Sequence, residues 1–147
     1  MTKSEIFEQI TTSPEYQVLK DYHQHGSHSV YNHSVNVYNA CFKIAKKLHI
    51  KVNEESLAKS ALLHDYFLYD WHDDENPVSH FTRHPARAAK NAKRDFGLTK
   101  KEERAIRSHM FPAGLRPPTS REALILTFAD KYCATRELLS SGRRNKS

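Results

Sequence analysis

Six side chains in this sequence could act on one chemical centre: His33, the adjacent pair His64-Asp65, His84, His109 and Asp130. The His64-Asp65 pair closes a helical apolar run made of Leu57, Ala58, Ala61, Leu62 and Leu63. A carboxylate at the edge of a core helix is costly unless it meets hydrogen bonds, counter-charges or a metal. Imidazole nitrogens and carboxylate oxygens together suit zinc, iron, manganese and related ions. Six donors exceed what one tetrahedral site needs. They suit two ions about 4 Å apart that share a carboxylate and a water.

Such donors can meet only if separate elements bring them together, and the apolar spacing predicts helices throughout. Ser4 caps a short first helix with Ile6, Phe7 and Ile10 on one side, and Ser13-Pro14 opens a second through Tyr22. HQHGSHS reads as a polar connection. A long helix spans Ser29 to Leu48, with Val30, Val37, Ala40, Cys41, Ile44 and Leu48 as its stripe and His33 on that stripe. Asn53 caps the helix that ends in His64-Asp65. YDWHDDENPVS reads as an irregular excursion, after which His84-Pro85 starts a helix that Gly97 stops after Phe96. Thr99-x-x-Glu102 and Thr119-x-x-Glu122 have the form of capping boxes. The first opens a helix ending near His109. The second opens a helix through Ala123, Leu126, Asp130, Cys133 and Ala134 to Leu139. No strand, repeat or interdomain linker is evident. The expectation is an all-α bundle of about six or seven helices: one domain over residues 1–139, with its core in about 27–139, and a disordered basic tail over 140–147.

Composition narrows the function classes. At 147 residues the chain can bury a core without disulfides, and Cys41 and Cys133 fall in apolar helical settings without metal or redox spacing. No apolar run reaches the length of about 18 residues that a membrane span requires. The segment MTKSEIFEQI is amphipathic and acidic, unlike a signal peptide, which points to the cytoplasm. The formal charge of +6 suits an anionic partner. Part of it lies in the tail SSGRRNKS, so it is compatible with phosphate ligands and argues only weakly for nucleic acid. The four glycines, Gly26, Gly97, Gly114 and Gly142, are isolated, so no phosphate loop exists, and neither H-E-x-x-H nor G-x-S-x-G occurs.

The ordered set YNHSVNVYNA, ALLHDYFLYDW and FADKYCA resembles the HD superfamily of metal-dependent phosphohydrolases, in which a helical His precedes a His-Asp pair and a distant Asp. The histidines of RHPARAA and IRSHMFP are similar to those of members that hold two metals. The resemblance implies that His33, His64, Asp65 and Asp130 hold one ion and His84 and His109 a second, with Asp65 between them. One or two divalent ions (Fe, Mn, Zn, Ni, Co or Mg) are therefore expected. It further implies a metal-activated hydroxide attacking phosphorus in a phosphoester or phosphoanhydride, with His64 and Asp65 at the catalytic centre. The lysine found shortly after His-Asp in some members is replaced here by Tyr66-Phe67-Leu68, and the Gly-Tyr-Pro motif of cyclic-dinucleotide phosphodiesterases is absent. Small members that cleave nucleoside polyphosphates match better, so the expected partner is a small phosphorylated substrate, a nucleotide above all. Lys131, Arg83, Arg87 and Arg116 are the candidate phosphate contacts, and Asp70, His28 and His72 could also touch substrate. Two rivals remain at this level: a catalytically silent HD-fold module that senses a nucleotide, and a basic helical protein that binds nucleic acid.

Overall fold

The computed structural model describes residues 1–25, 28–68 and 77–144, with backbone alone for 23–25, 77–83 and 141–144. Among these, seven α-helices dominate: α1 (Lys3–Thr11), α2 (Pro14–Gln17), α3 (Val30–Lys47), α4 (Glu54–Leu63), α5 (Pro77–Phe96), α6 (Lys100–Ser108) and α7 (Arg121–Arg144). A 3-10 turn (Val18–Asp21) continues α2, so the second helix is shorter than expected and tightens before Tyr22. The connection after it holds a small antiparallel ribbon, β1 (His23–His25) with β2 (His28–Ser29), where no strand was expected. The ribbon is too short to change the all-α class.

The centre of the bundle is α4. It packs against α1, α3, α5, α6 and α7. Its composition explains this position: Leu57, Ala58, Ser60, Ala61, Leu62 and Leu63 are all buried, so the helix has almost no solvent face. Asn53 starts it by accepting the Ser56 N–H, and Glu54 and Glu55 lie in its first turn, where the helix dipole favours acids. Because α4 is central, the residues at its C-terminal end are delivered to the middle of the molecule. Tyr16 reinforces that end, its buried hydroxyl donating to the Leu62 carbonyl at 2.6 Å.

The other elements bring their faces to this point. Ser29 caps α3, and α3 lies against both α4 and α7. Its buried face is Val30, His33, Ser34, Val37, Tyr38, Cys41 and Ala45, while Leu48 projects into solvent. α6 has the full reciprocal capping box between Thr99 and Glu102. Gly97, at φ +75°, stops α5 in a left-handed turn that a side chain would strain.

Further boundaries differ from expectation. α1 is capped not by Ser4 but by Thr2, whose hydroxyl accepts the Glu5 N–H. α5 begins at Pro77 rather than at His84, so Pro85 lies inside it and His84 sits mid-helix. Proline removes one intrahelical hydrogen bond, and here burial of Pro85 and of Ala88, Ala89 and Ala92 on the following turns supports the helix across that gap. At α7 the cap is Ser120, whose hydroxyl accepts the Ala123 N–H, rather than Thr119. Glu122 is drawn away from a capping box by Lys101 and by the Asn53 N–H. The last helix also continues past Leu139 to Arg144, so residues 140–144 are helical where a disordered tail was expected. No helix among the described residues is long and apolar enough to cross a membrane.

Candidate metal centre

Five elements deliver the donors. His33 comes from the second turn of α3, and His64 and Asp65 from the end of α4. His84 lies within α5, His109 is the C-cap of α6, and Asp130 is mid-α7. All six are buried in a helical core, where polar groups must find partners.

The side chains form two overlapping groups. Donor atoms of His33, His64, Asp65 and Asp130 all lie within 4.8 Å of one another, and so do those of Asp65, His84 and His109. Asp65 belongs to both, with one oxygen turned to each. Its Oδ2 faces Nε2 of His33 at 3.4 Å and of His64 at 3.2 Å. Its Oδ1 faces Nε2 of His109 at 3.4 Å and contacts Nε2 of His84. Asp130 Oδ1 closes the first group, 2.8 Å from His33 Nε2 and 3.2 Å from His64 Nε2. In the second group the two Nε2 atoms of His84 and His109 are 3.1 Å apart.

The outer ring nitrogens are tied down. His64 donates Nδ1–H to the Ala61 carbonyl at 2.7 Å, and His109 donates to the Ile106 carbonyl at 2.6 Å. Each uses a carbonyl in the last turn of its own helix, and that of Ile106 also accepts the His109 backbone N–H. His33 Nδ1 meets the carboxylate of Glu137, on α7, at 2.6 Å. Thus Nε2 points inward on His33, His64 and His109, and the partner of the other nitrogen sets each tautomer. Ring packing adds rigidity: His109 meets His64 edge-on with centroids 4.8 Å apart, and Phe67 lies 4.8 Å from His84.

The electrostatics match the geometry. Burial disfavours charge on Asp65, but the facing charges of His64 and His84 and the hydrogen bonds from His109 and His64 win, holding the carboxyl well below its usual range. Burial likewise opposes ionisation of Asp130, and the hydrogen bonds from His33 and His64 again outweigh it. For His33 burial lowers the affinity for a proton, yet Asp130 and Glu137 raise its pKa to about 9. His64 is raised well above its ordinary value, because Asp65 and Asp130 overcome burial. His109 is pushed down, chiefly by burial. The result is a buried pair of ionised carboxylates faced by imidazole nitrogens, and this N/O donor set fits divalent first-row ions.

The other expected contacts divide. Lys131, next to Asp130, donates Nζ to the His109 carbonyl at 3.2 Å and so lies beside the centre. Burial lowers its pKa against the pull of Asp130. Arg87, one turn after His84 on α5, is exposed. Arg116 is exposed in the loop before α7. His28 is not brought to the donors; it lines a groove of about 940 Å³ between α3 and α7, together with Cys133 and Glu137. Asp70 and His72 lie outside the described residues, as does the Arg83 side chain. Cys41 and Cys133 are free and buried.

Two residues near the centre were not anticipated. Glu137 stands seven positions after Asp130, two turns on along the same face of α7, which is a readable signal. Asn91 on α5 donates its side-chain amide to the carbonyls of Tyr66 and Phe67 at 3.3 and 3.0 Å. It fastens the strand of backbone that follows Asp65, and no sequence pattern announces such a contact.

Comparison with known families adds one finding. The family model for the HD domain matches residues 30–135, which include all six donors. No curated protein and no solved structure matches the chain.

Proposed function

The chain belongs to the HD-domain family, a superfamily of metal-dependent phosphohydrolases, and from that premise we propose that it hydrolyses a phosphoester or phosphoanhydride bond in a nucleotide. One observation carries the reading: Asp65 offers one oxygen to each of two adjoining donor groups. A carboxylate used in this way is suited to bridging two cations.

In this proposal His33, His64, Asp65 and Asp130 hold one ion, and Asp65, His84 and His109 hold the second. Divalent ions bound there would supply an activated water and neutralise negative charge on the phosphoryl oxygens. The protein's part is to fix the donors and exclude solvent. Five of the six donor side chains are 3% exposed or less, whereas that of Asp130 reaches 12%. A substrate phosphate would therefore approach along the Asp130 edge. Lys131 sits at that edge, anchored by the His109 carbonyl, where its ammonium can meet a phosphoryl oxygen. Placing substrate and water against fixed groups lowers the barrier by orientation as well as by charge.

The test is phosphate or pyrophosphate release from a panel of nucleoside mono-, di- and triphosphates, with Mn2+, Ni2+, Co2+, Zn2+ or Mg2+ added in turn. Release from at least one nucleotide, abolished by Asp65→Ala, supports the reading. Metal retention and nucleotide binding without turnover across the panel would replace it with a sensor module.

A further inference from the structure

His33 is held differently from the other inward-pointing rings. His64 and His109 each hand Nδ1–H to a carbonyl three residues back in their own helix end. His33 lies inside α3, where such carbonyls are occupied by the helix ladder. Its Nδ1 is instead met by Glu137, at 2.6 Å from Oε2 and 3.0 Å from Oε1. The opposite nitrogen of the same ring meets Asp130 Oδ1 at 2.8 Å. Asp130 and Glu137 are seven residues apart on α7, so one helix face grips this imidazole at both ends. Glu137 is only 4% exposed, and His33 is its one hydrogen-bond partner among the described residues. Burying a carboxylate with so little support is unfavourable unless the contact it makes matters.

We propose that Glu137 is a positioning residue for the metal centre: it fixes the Nδ1–H tautomer of His33 so that Nε2 stays available to an ion. The proposal rests on the metal reading above. A carboxylate can only accept, so Glu137 keeps a proton on Nδ1; the Nε2 proton, given to Asp130 when no ion is bound, is then the one an incoming ion displaces. A carboxamide at the same position could turn its NH2 toward Nδ1 and favour the other tautomer, whose Nε2–H cannot ligate. The carboxylate also increases the donor strength of the ring, and losing such a partner typically costs about 10–100-fold in metal affinity.

The experiment compares Zn2+ binding by the full chain and by Glu137→Gln, titrated against a competing chelator, alongside the thermal midpoint of each after metal removal. The expected result is one class of Zn2+ site weakened about 10–100-fold, with the class built on Asp65, His84 and His109 unchanged and the metal-free midpoint close to that of the parent. A lowered midpoint with unaltered affinity would show a merely structural contact and overturn the proposal. Nitrogen NMR of the parent protein loaded with Zn2+ gives a second reading that needs no variant. His33 should carry its proton on Nδ1 and the metal on Nε2, and the reverse assignment overturns the proposal even if Glu137→Gln fails to fold. A parent chain that takes up no Zn2+ overturns the metal reading and the role of Glu137 together. A parent that binds while Glu137→Gln binds equally well overturns only the latter.

Discussion

At the level of single residues, Asp65 has the most connected position in the centre. Its oxygens divide between two groups that otherwise share no donor. Substitution there should therefore affect both groups, whereas substitution of a ring should affect one. Asp65→Asn is expected to lose both ions, and His109→Ala one ion only, with helicity retained in each. Metal-to-protein ratios after dialysis, with circular dichroism as the folding control, check this. The six donors could be named from the order of residues because histidine and aspartate within apolar helical stripes stand out against their surroundings. Glu137 was missed although its seven-residue spacing from Asp130 could have been read, because a glutamate near the end of a helix rich in exposed residues is ordinary. Its burial arises only when α3 closes on α7.

At the level of elements, helix ends do much of the positioning. His64 and His109 both occupy C-cap positions, where a carbonyl of the last turn can hold Nδ1–H. The capping signals were readable because Ser13, Asn53 and Thr99 each act within three residues of themselves. Thr119 misled because Glu122, its apparent partner, answers instead to Lys101 and Asn53 across the molecule. Pro85 misled in the same way: local chemistry marks a helix start, and tertiary burial carries α5 through it. The Thr99 box can be tested by itself. Thr99→Ala should cost about 1 kcal/mol of stability, read from urea denaturation, and leave the metal-to-protein ratio unchanged because α6 remains docked through Ala105 and Ile106.

At the level of the whole molecule, the fold surrounds one short helix with five others and sets the reactive groups at its end. The all-helical class was readable from apolar periodicity, since most helices here bury one face against a common centre. The small ribbon formed by His23–His25 and His28–Ser29 was not, because its histidine-rich strands lack any alternating pattern. Links away from the centre give the bundle a pH dependence of its own. Burial raises the pKa of Glu122, but Lys101, 2.5 Å away, and the Asn53 N–H outweigh it, so the folded-state value lies below the ordinary 4.5. A depressed carboxyl stabilises the fold above its unfolded value, and that contribution fades as pH falls through the folded value. Urea midpoints should therefore drop on acidification below about 4.5, and Glu122→Gln should drop less steeply over the same range while starting lower at pH 7.

The geometry makes hydrolysis depend on cations held around Asp65. The direct measurement is phosphate release from the best nucleotide of the panel as metal is returned to chelator-treated protein. Release should be absent without metal, rise to saturation as metal is restored, and stay absent for Asp65→Asn at every metal concentration. Release that persists after chelation, or that is undiminished in Asp65→Asn, would contradict the account.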